Sequence, residues 1–296
     1  YFSSFENSLA ELFGTVSFYH HLSQSPPGQL APRVCDGPVC RLQGSRRLLA
    51  ELSDQNATQM PCAGRCDDFI PVLKGAEVLI GTTANNLKVR PSPLPPPNPG
   101  QVEECVFSQI RQPNRSEILG YRQTGGYDGF ISMLDLMRPA DVIHILEDSQ
   151  LAGRGGASFP TGLKWKTVAE EKRGPKTIVC NADEGEPGCF KDRAIMDYDP
   201  HAVIEGMLIA AYATGANQGF IYLRYEYPET LNILSQAIEE SQVSGFLGDS
   251  ILGSDFDFQI DIRRGAGSYI CGEETALLNS LEGKRPFPRN RPPYPV

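Results

Sequence analysis

Three groups of residues in this sequence have the types and spacing to do chemistry. The first is Gly153-Arg154-Gly155-Gly156, followed by Lys164 in a stretch patterned as a helix. Glycines ahead of a helix let backbone N–H groups approach a phosphate closely, and the helix dipole favours the anion. Arg154 and Lys164 add positive charge beside it. The loop has neither the GxGxxG spacing of a dinucleotide fold nor the GK[ST] of a Walker A loop, and by itself it also fits a tight turn. The second group is the acidic run from Asn181 to Glu186, at the end of an apolar strand pattern at 176–182. Open α/β sheets bind ligands at strand ends, though such a run alone is also a solvated loop. The third is Cys35-x4-Cys40 followed by Cys62-x3-Cys66. Two close pairs of soft ligands suit a zinc ion or an iron–sulfur cluster, and gaps wider than two residues lean towards [2Fe–2S].

These groups must be positioned by regular elements. SLAELFGTVSFYHHL and GSRRLLAEL have helical apolar spacing, and EVLIG at 77–81 reads as a strand. PSPLPPPNPG at 91–100 reads as a stiff, extended linker. It divides the chain into a first domain at 1–88, a linker at 89–104 and a second domain at 105–296. In the second, ISMLDLM and ADVIHILEDS are helical, LAGRGGASFPTG is loop and LKWKTVAEEK is helix. KTIVC is a short strand, AVIEGMLIAAYATGA a helix ending at Gly215, and FIYLRYEY a strand. TLNILSQAIEES is a helix, FDFQIDIRRGAG a strand, and CGEETALLNSLEG a helix opening on carboxylates and closing at Gly283. Alternating strands and helices predict an α/β layer with a mainly parallel sheet.

Composition narrows the function. The 296 residues are 40% hydrophobic with a net charge of −9. The acidic balance gives no reason to expect nucleic-acid binding. No run approaches the ~18 apolar residues of a membrane span, and YFSSFENSLAELFG lacks a signal-peptide pattern. Eight cysteines without a secretory signal point to metal or redox chemistry rather than disulfides, and to a cytoplasmic protein. The absent initial Met and the abrupt RPPYPV end suggest a fragment.

Three longer motifs, GRGGASFPTGLKW, NADEGEPGCFKDR and GAGSYICGEETALLNSLEG, stand in order between Tyr121 and Val296. Together they resemble the family of flavoprotein (51 kDa, NADH-binding) subunits of respiratory complex I. That family includes the diaphorase subunits of NAD-reducing hydrogenases and the β subunits of NAD-dependent formate dehydrogenases. The resemblance implies a Rossmann-like domain binding FMN and NAD(H). FMN phosphate would lie against Gly153–Gly156 with Arg154 and Lys164 alongside. Asn181, Asp183 and Glu184 would lie near the ribityl chain and ring, with Glu184 the catalytic candidate. Tyr269, Gly272, Glu273 and Glu274 would complete the site. Phe159 and Tyr294 match positions that stack on adenine, Glu186 one that faces the adenosine ribose, and Arg291 a cation of the tail. A carboxylate at that ribose repels a 2′-phosphate, so NADH is expected over NADPH. Ser158 replaces a usual glycine, Cys189 a usual Thr or Ser, and Arg291 a common Lys. Cys189 is expected as a small buried packing residue.

The stretch from Leu9 to Gly81, with VCDGPVC and PCAGRCDDFIPVL, resembles the thioredoxin-like [2Fe–2S] ferredoxin family, found as the 24 kDa component of complex I. The resemblance implies that Cys35, Cys40, Cys62 and Cys66 hold the cluster. Twenty-one residues separate Cys40 from Cys62, fewer than in that separate component. His20 and His21 are expected on a helix surface. Cys105, Cys180 and Cys271 are expected to be structural.

The fused order implies a diaphorase-type protein: hydride transfer between NAD(H) and FMN, then one-electron transfer to iron–sulfur centres. A [4Fe–4S] cluster of the family lies beyond this chain. Expected partners are hydrogenase, formate dehydrogenase, ferredoxin-like or complex I subunits, with no membrane insertion. Four alternatives remain. They are the stand-alone flavoprotein of respiratory NADH:quinone oxidoreductase (complex I), the β chain of a formate dehydrogenase, a cofactor-free structural protein and an N-terminal zinc module.

Overall fold

The computed structural model describes residues 8–22, 31–91, 95, 97–98, 100–101 and 103–295. Half of the expected extended linker at 91–100 falls outside the described residues, as do SQSPPGQL, residues 1–7 and Val296.

The first helix, α1 (Leu9–Val16), opens on a capping box between Ser8 and Glu11. It ends before the histidines, so the helical reading of 8–22 extends too far. His20 is exposed, but His21 is buried, which corrects its expected place on a helix surface. The backbone N–H groups of His20 and His21 donate to the carbonyls of Gly267 and Ala266 at 3.0 and 2.9 Å. The His21 ring stacks on Tyr225 at 4.1 Å, and its Nε2 meets Glu226 Oε1 at 3.2 Å. Only tertiary packing could reveal this.

A mixed sheet follows, built from β1 (Arg33–Cys35), β2 (Thr58–Met60), β3 (Pro71–Lys74), β4 (Glu77–Ile80) and β5 (Lys88–Val89). Its order is β2-β1-β3-β4-β5, with β1 and β2 parallel and the other pairs antiparallel. The parallel pair requires a crossover, supplied by α2 (Pro38–Leu42) and α3 (Ser45–Glu51). Val34, Leu48, Leu52, Ile70, Val72, Leu73 and Val78 form a core with exposures of 0–2%. This agrees with the thioredoxin-like expectation.

The second half begins with α4 (Ile118–Gln123), α5 (Asp128–Leu136), α6 (Pro139–Ser149) and α7 (Thr161–Glu170). Strand β6 (Thr177–Ala182) leads to α8 (Lys191–Tyr198) and α9 (Pro200–Thr214). Then come β7 (Gln218–Leu223), α10 (Pro228–Val243), β8 (Gln259–Arg264) and α11 (Glu274–Leu281). The three strands are parallel in the order β6-β7-β8, with Thr177, Gln218 and Gln259 in register. α9 packs on β6 and β7, and α10 on β8. α9 stops where Gly215 turns to φ +78°, a conformation that costs glycine little. Parallel pairing sends all three strand ends to one edge, so the segments after Ala182, Leu223 and Arg264 meet there. This is the Rossmann-like α/β layer expected. Among the described residues no helix is long and apolar enough to cross a membrane.

Gly219 of β7 is packed tightly: a Cβ there would lie 2.6 Å from Phe258 Cζ and 2.9 Å from Met207 Cε. Gly219→Ala should destabilise the protein by about 1–3 kcal/mol through overpacking. Denaturant unfolding measures this, and an unchanged midpoint would contradict the packing described.

Candidate functional site: a cleft at the strand ends beside a cysteine cluster

A cleft of about 920 Å³ opens at the C-terminal edge of the parallel sheet. Its size is that of a cofactor site. It brings together Gly153, Arg154, Gly155, Lys164, Asn181, Asp183, Glu184, Glu186, Tyr269, Gly272 and Glu273, all expected from the sequence. The Gly-rich loop is closed at its base, where Gly153 N–H donates to the Phe159 carbonyl at 2.9 Å and Thr161 N–H to that of Leu151 at 2.8 Å. It is therefore a hairpin-like excursion before α7 rather than a direct run into the helix. A Cβ added at Gly155 or Gly156 would meet nothing within 4 Å, and Gly156 has φ +110°. Ser158 has φ +49°, left-handed backbone that explains why glycine suits this position.

The acidic wall is held by hydrogen bonds at each carboxylate but one. Asn181 Nδ2 donates to the Gly272 carbonyl at 2.8 Å, tying the end of β6 to the segment before α11. Glu184 is buried, and both its carboxylate oxygens accept the N–H of Asp192, at 3.2 and 3.1 Å; Oε2 also accepts that of Arg193 at 3.3 Å. Glu184 thus anchors the N-terminus of α8, a role the sequence reading did not include. Tyr269 donates its hydroxyl to Glu186 Oε2 at 2.6 Å. Glu273 caps α11, accepting from Thr275 N and Ala276 N at 2.9 and 2.8 Å. Burial opposes its charge, but these bonds and Arg291 hold its carboxyl below the usual range.

Gly156, Phe159, Glu274, Arg291 and Tyr294 are not part of the lining. Glu274 and Arg291 join it indirectly: Lys164 Nζ lies 3.4 Å from Glu274, and Arg291 Nη2 reaches Glu273 at 3.0 Å and Glu274 at 2.6 Å. Phe159 and Tyr294 stand 48% and 67% exposed. Cys189 is half-buried and lines the cleft, which corrects the expected packing role. Cys180 also lines it from β6, while Cys105 is exposed and Cys271 is buried. Lys191 and Asp192 of α8 contribute as well; their position after the acidic loop was the available signal.

Asp183 is buried, and its Oδ2 has no hydrogen-bond partner among the described residues. Burial pushes its carboxyl up to about 7, against the pull of Arg224. Arg154 is exposed on the opposite loop, and open glycine backbone lies beside it. An anion beside Arg154 and Lys164 and a hydrogen-bond donor at Asp183 fit these residues. FMN, with a phosphate and a polar ring system, supplies both.

The four expected ligand cysteines lie together next to this wall. Cys35 ends β1, Cys40 lies in α2, and Cys62 and Cys66 follow β2. Cys35 contacts both Cys40 and Cys62, and Cys62 Sγ is 3.7 Å from Cys66 Sγ. The sulfurs form a chain; among the described residues no three His, Cys, Asp or Glu groups are arranged to hold a metal ion. Contact with Cys40, then burial, pushes the Cys35 thiol up to about 11, and burial does the same to Cys66. Four thiolates would repel one another here, and a positively charged iron centre would offset that repulsion. The donor set therefore fits [2Fe–2S]. Gly37 is confined by this packing, since a Cβ there would lie 2.9 Å from Cys62 Cβ.

Residues 146–296, half of the chain, match the family model described as the Nuo51 FMN-binding domain. The chain belongs to that family. Residues 3–73 match the thioredoxin-like [2Fe-2S] ferredoxin model. Among relatives, the chain is 53% identical to the F component of the NADH-quinone oxidoreductase of Aquifex aeolicus, over 64% of this chain and 44% of that one. It is 35% identical to the alpha component of the NAD-reducing hydrogenase HoxS of Cupriavidus necator, over 95% of this chain and 51% of that one. The air-oxidised NAD+-reducing [NiFe]-hydrogenase structure superposes with TM-score 0.73 at 28% identity, covering 97% of this chain and 51% of that one. The chain spans about half the length of these relatives. The Nuo51 match covers the cleft, and the ferredoxin match covers all four clustered cysteines.

The raised carboxyl of Asp183 has a consequence for stability in the ligand-free protein. A group ordinarily near 3.8 and raised to about 7 stabilises the fold fully below 3.8 and loses that contribution as pH rises through 7. Asp183→Asn should therefore gain stability relative to the parent as pH rises from about 4 to 7, levelling off above. Unfolding curves at several pH values read this; a pH-independent difference would contradict it.

Proposed function

We propose that this chain is the NAD(H)- and FMN-binding part of an NADH:acceptor oxidoreductase, in which the four N-terminal cysteines hold a [2Fe–2S] cluster. The observation that carries the reading is the adjacency of the cleft and the thiol cluster, with Arg224 hydrogen-bonded to the backbone of both. Bound FMN supplies the conversion between two-electron hydride chemistry and single-electron transfer, and the cluster a one-electron store.

The chain's own residues bind and orient. The open glycine loop and Arg154 take the phosphate. Asn181 and Gly272, bonded together, fix the ring-side wall. Glu184 holds that wall to α8. Glu186, fixed by Tyr269, disfavours a nucleotide 2′-phosphate, so NADH is preferred over NADPH. Phe159 and Tyr294 are free to stack on adenine. Likeness to components of an NAD-reducing hydrogenase and of NADH-quinone oxidoreductases supports a place in a multi-subunit redox assembly. The HoxS alpha relative aligns with 95% of this chain, across both halves. This favours the fused, diaphorase-type reading over the stand-alone complex I flavoprotein, whose Aquifex aeolicus example aligns with 64%.

Gly155→Val places a branched side chain in the open loop. It should lower FMN content and NADH:ferricyanide activity together, by tenfold or more, or about 1.4 kcal/mol. Cys35→Ser should remove the [2Fe–2S] signal while flavin content stays. Full flavin in Gly155→Val, or an intact cluster in Cys35→Ser, would contradict the corresponding assignment.

A further inference from the structure

Arg224 follows β7 and is buried, 5% exposed. Its Nη2 donates to the carbonyl of Cys62 and its Nη1 to the carbonyl of Glu184, each at 2.5 Å. Its Nε lies 3.4 Å from Glu226 Oε2, and the Tyr227 ring is 5.3 Å from the guanidinium. On the far side Glu226 meets His21, which Arg33 holds at 2.5 Å. A cavity of about 190 Å³ lined by Cys62, Asp183, Arg224 and Glu226 lies at this junction. One fixed cation therefore touches a segment bearing a cluster ligand and a segment walling the cleft.

We propose that Arg224 is a positioning residue that sets the one-electron reduction potential of the centre held by Cys35, Cys40, Cys62 and Cys66. The proposal rests on the [2Fe–2S] reading of those cysteines. Adding an electron makes the centre more negative. A guanidinium keeps its charge even when buried, and a buried charge is little screened by salt. Through the Cys62 carbonyl it polarises the ligand segment and favours the reduced state. Glu226 acts in the opposite sense, because its carboxylate offsets part of the same field.

The test is an EPR-monitored redox titration of the purified, cofactor-loaded protein and its variants. Arg224→Gln should reduce the reduced-to-oxidised ratio at a fixed potential about tenfold, a 59 mV fall in midpoint for one electron. Arg224→Lys should stay close to the parent. Glu226→Gln should move the midpoint upward, and it carries the test if Arg224→Gln fails to fold. A role confined to folding would not give opposite shifts. A normal parent signal whose midpoint ignores these substitutions, or shifts the same way in Arg224→Gln and Glu226→Gln, overturns the proposal. No [2Fe–2S] signal in the reduced parent overturns the cysteine reading, and the proposal with it.

Discussion

Buried guanidinium groups fasten the mixed sheet to the parallel one. Arg224 bonds the carbonyls of Cys62 and Glu184. Arg65 reaches Glu229 at 2.5 Å and the Glu226 carbonyl at 3.2 Å. Arg193 of α8 holds both oxygens of Asp67 at 2.5 and 2.7 Å. Each arginine is nearly inaccessible, so each would be costly without its partners. Because these partners come from both halves, the cysteine loop cannot shift without exposing an unpaired charge. The two candidate cofactor sites are thereby held in one fixed relation.

The parallel sheet supplies the other half of that relation. Its strands carry the acidic loop, Arg224 and the segment before α11 to a common edge. Small residues then permit close approach: Gly185 faces the Tyr269 ring, and a Cβ there would lie 3.0 Å from it, while Gly37 admits Cys62. Carboxylates serve twice. Glu184 and Glu273 satisfy helix N-termini while facing the cleft, so the wall is built from the same bonds that begin α8 and α11. With Glu184 and Glu273 engaged at helix N-termini and Glu186 at Tyr269, Asp183 Oδ2 is left without a partner among the described residues, which is where a ligand donor gains most.

Much of this was legible in the sequence because it is local. Glycine spacing at 153–156, the acidic run after β6 and the carboxylates opening α11 lie within a few residues of the elements that present them, and the alternation of elements predicts the parallel sheet. The cysteine spacing likewise foretells the thiol cluster. The rest depends on partners far apart in the chain. His21 looks like a helix-surface residue until Gly267 and Glu226 fold over it. Arg224 reads as part of a strand, yet its partner Cys62 lies 162 positions away. Cys189 lines the cleft because the acidic loop turns back at Glu186, a turn that its residue type does not announce.

A flavin held in the cleft should be within reach of NADH. Anaerobic addition of NADH to the purified, FMN-loaded protein tests it most directly, with the visible flavin absorption followed over time. NADH should bleach the flavin rapidly, and NADPH much more slowly. Flavin that stays oxidised under excess NADH, in protein with its full complement of FMN, would contradict it.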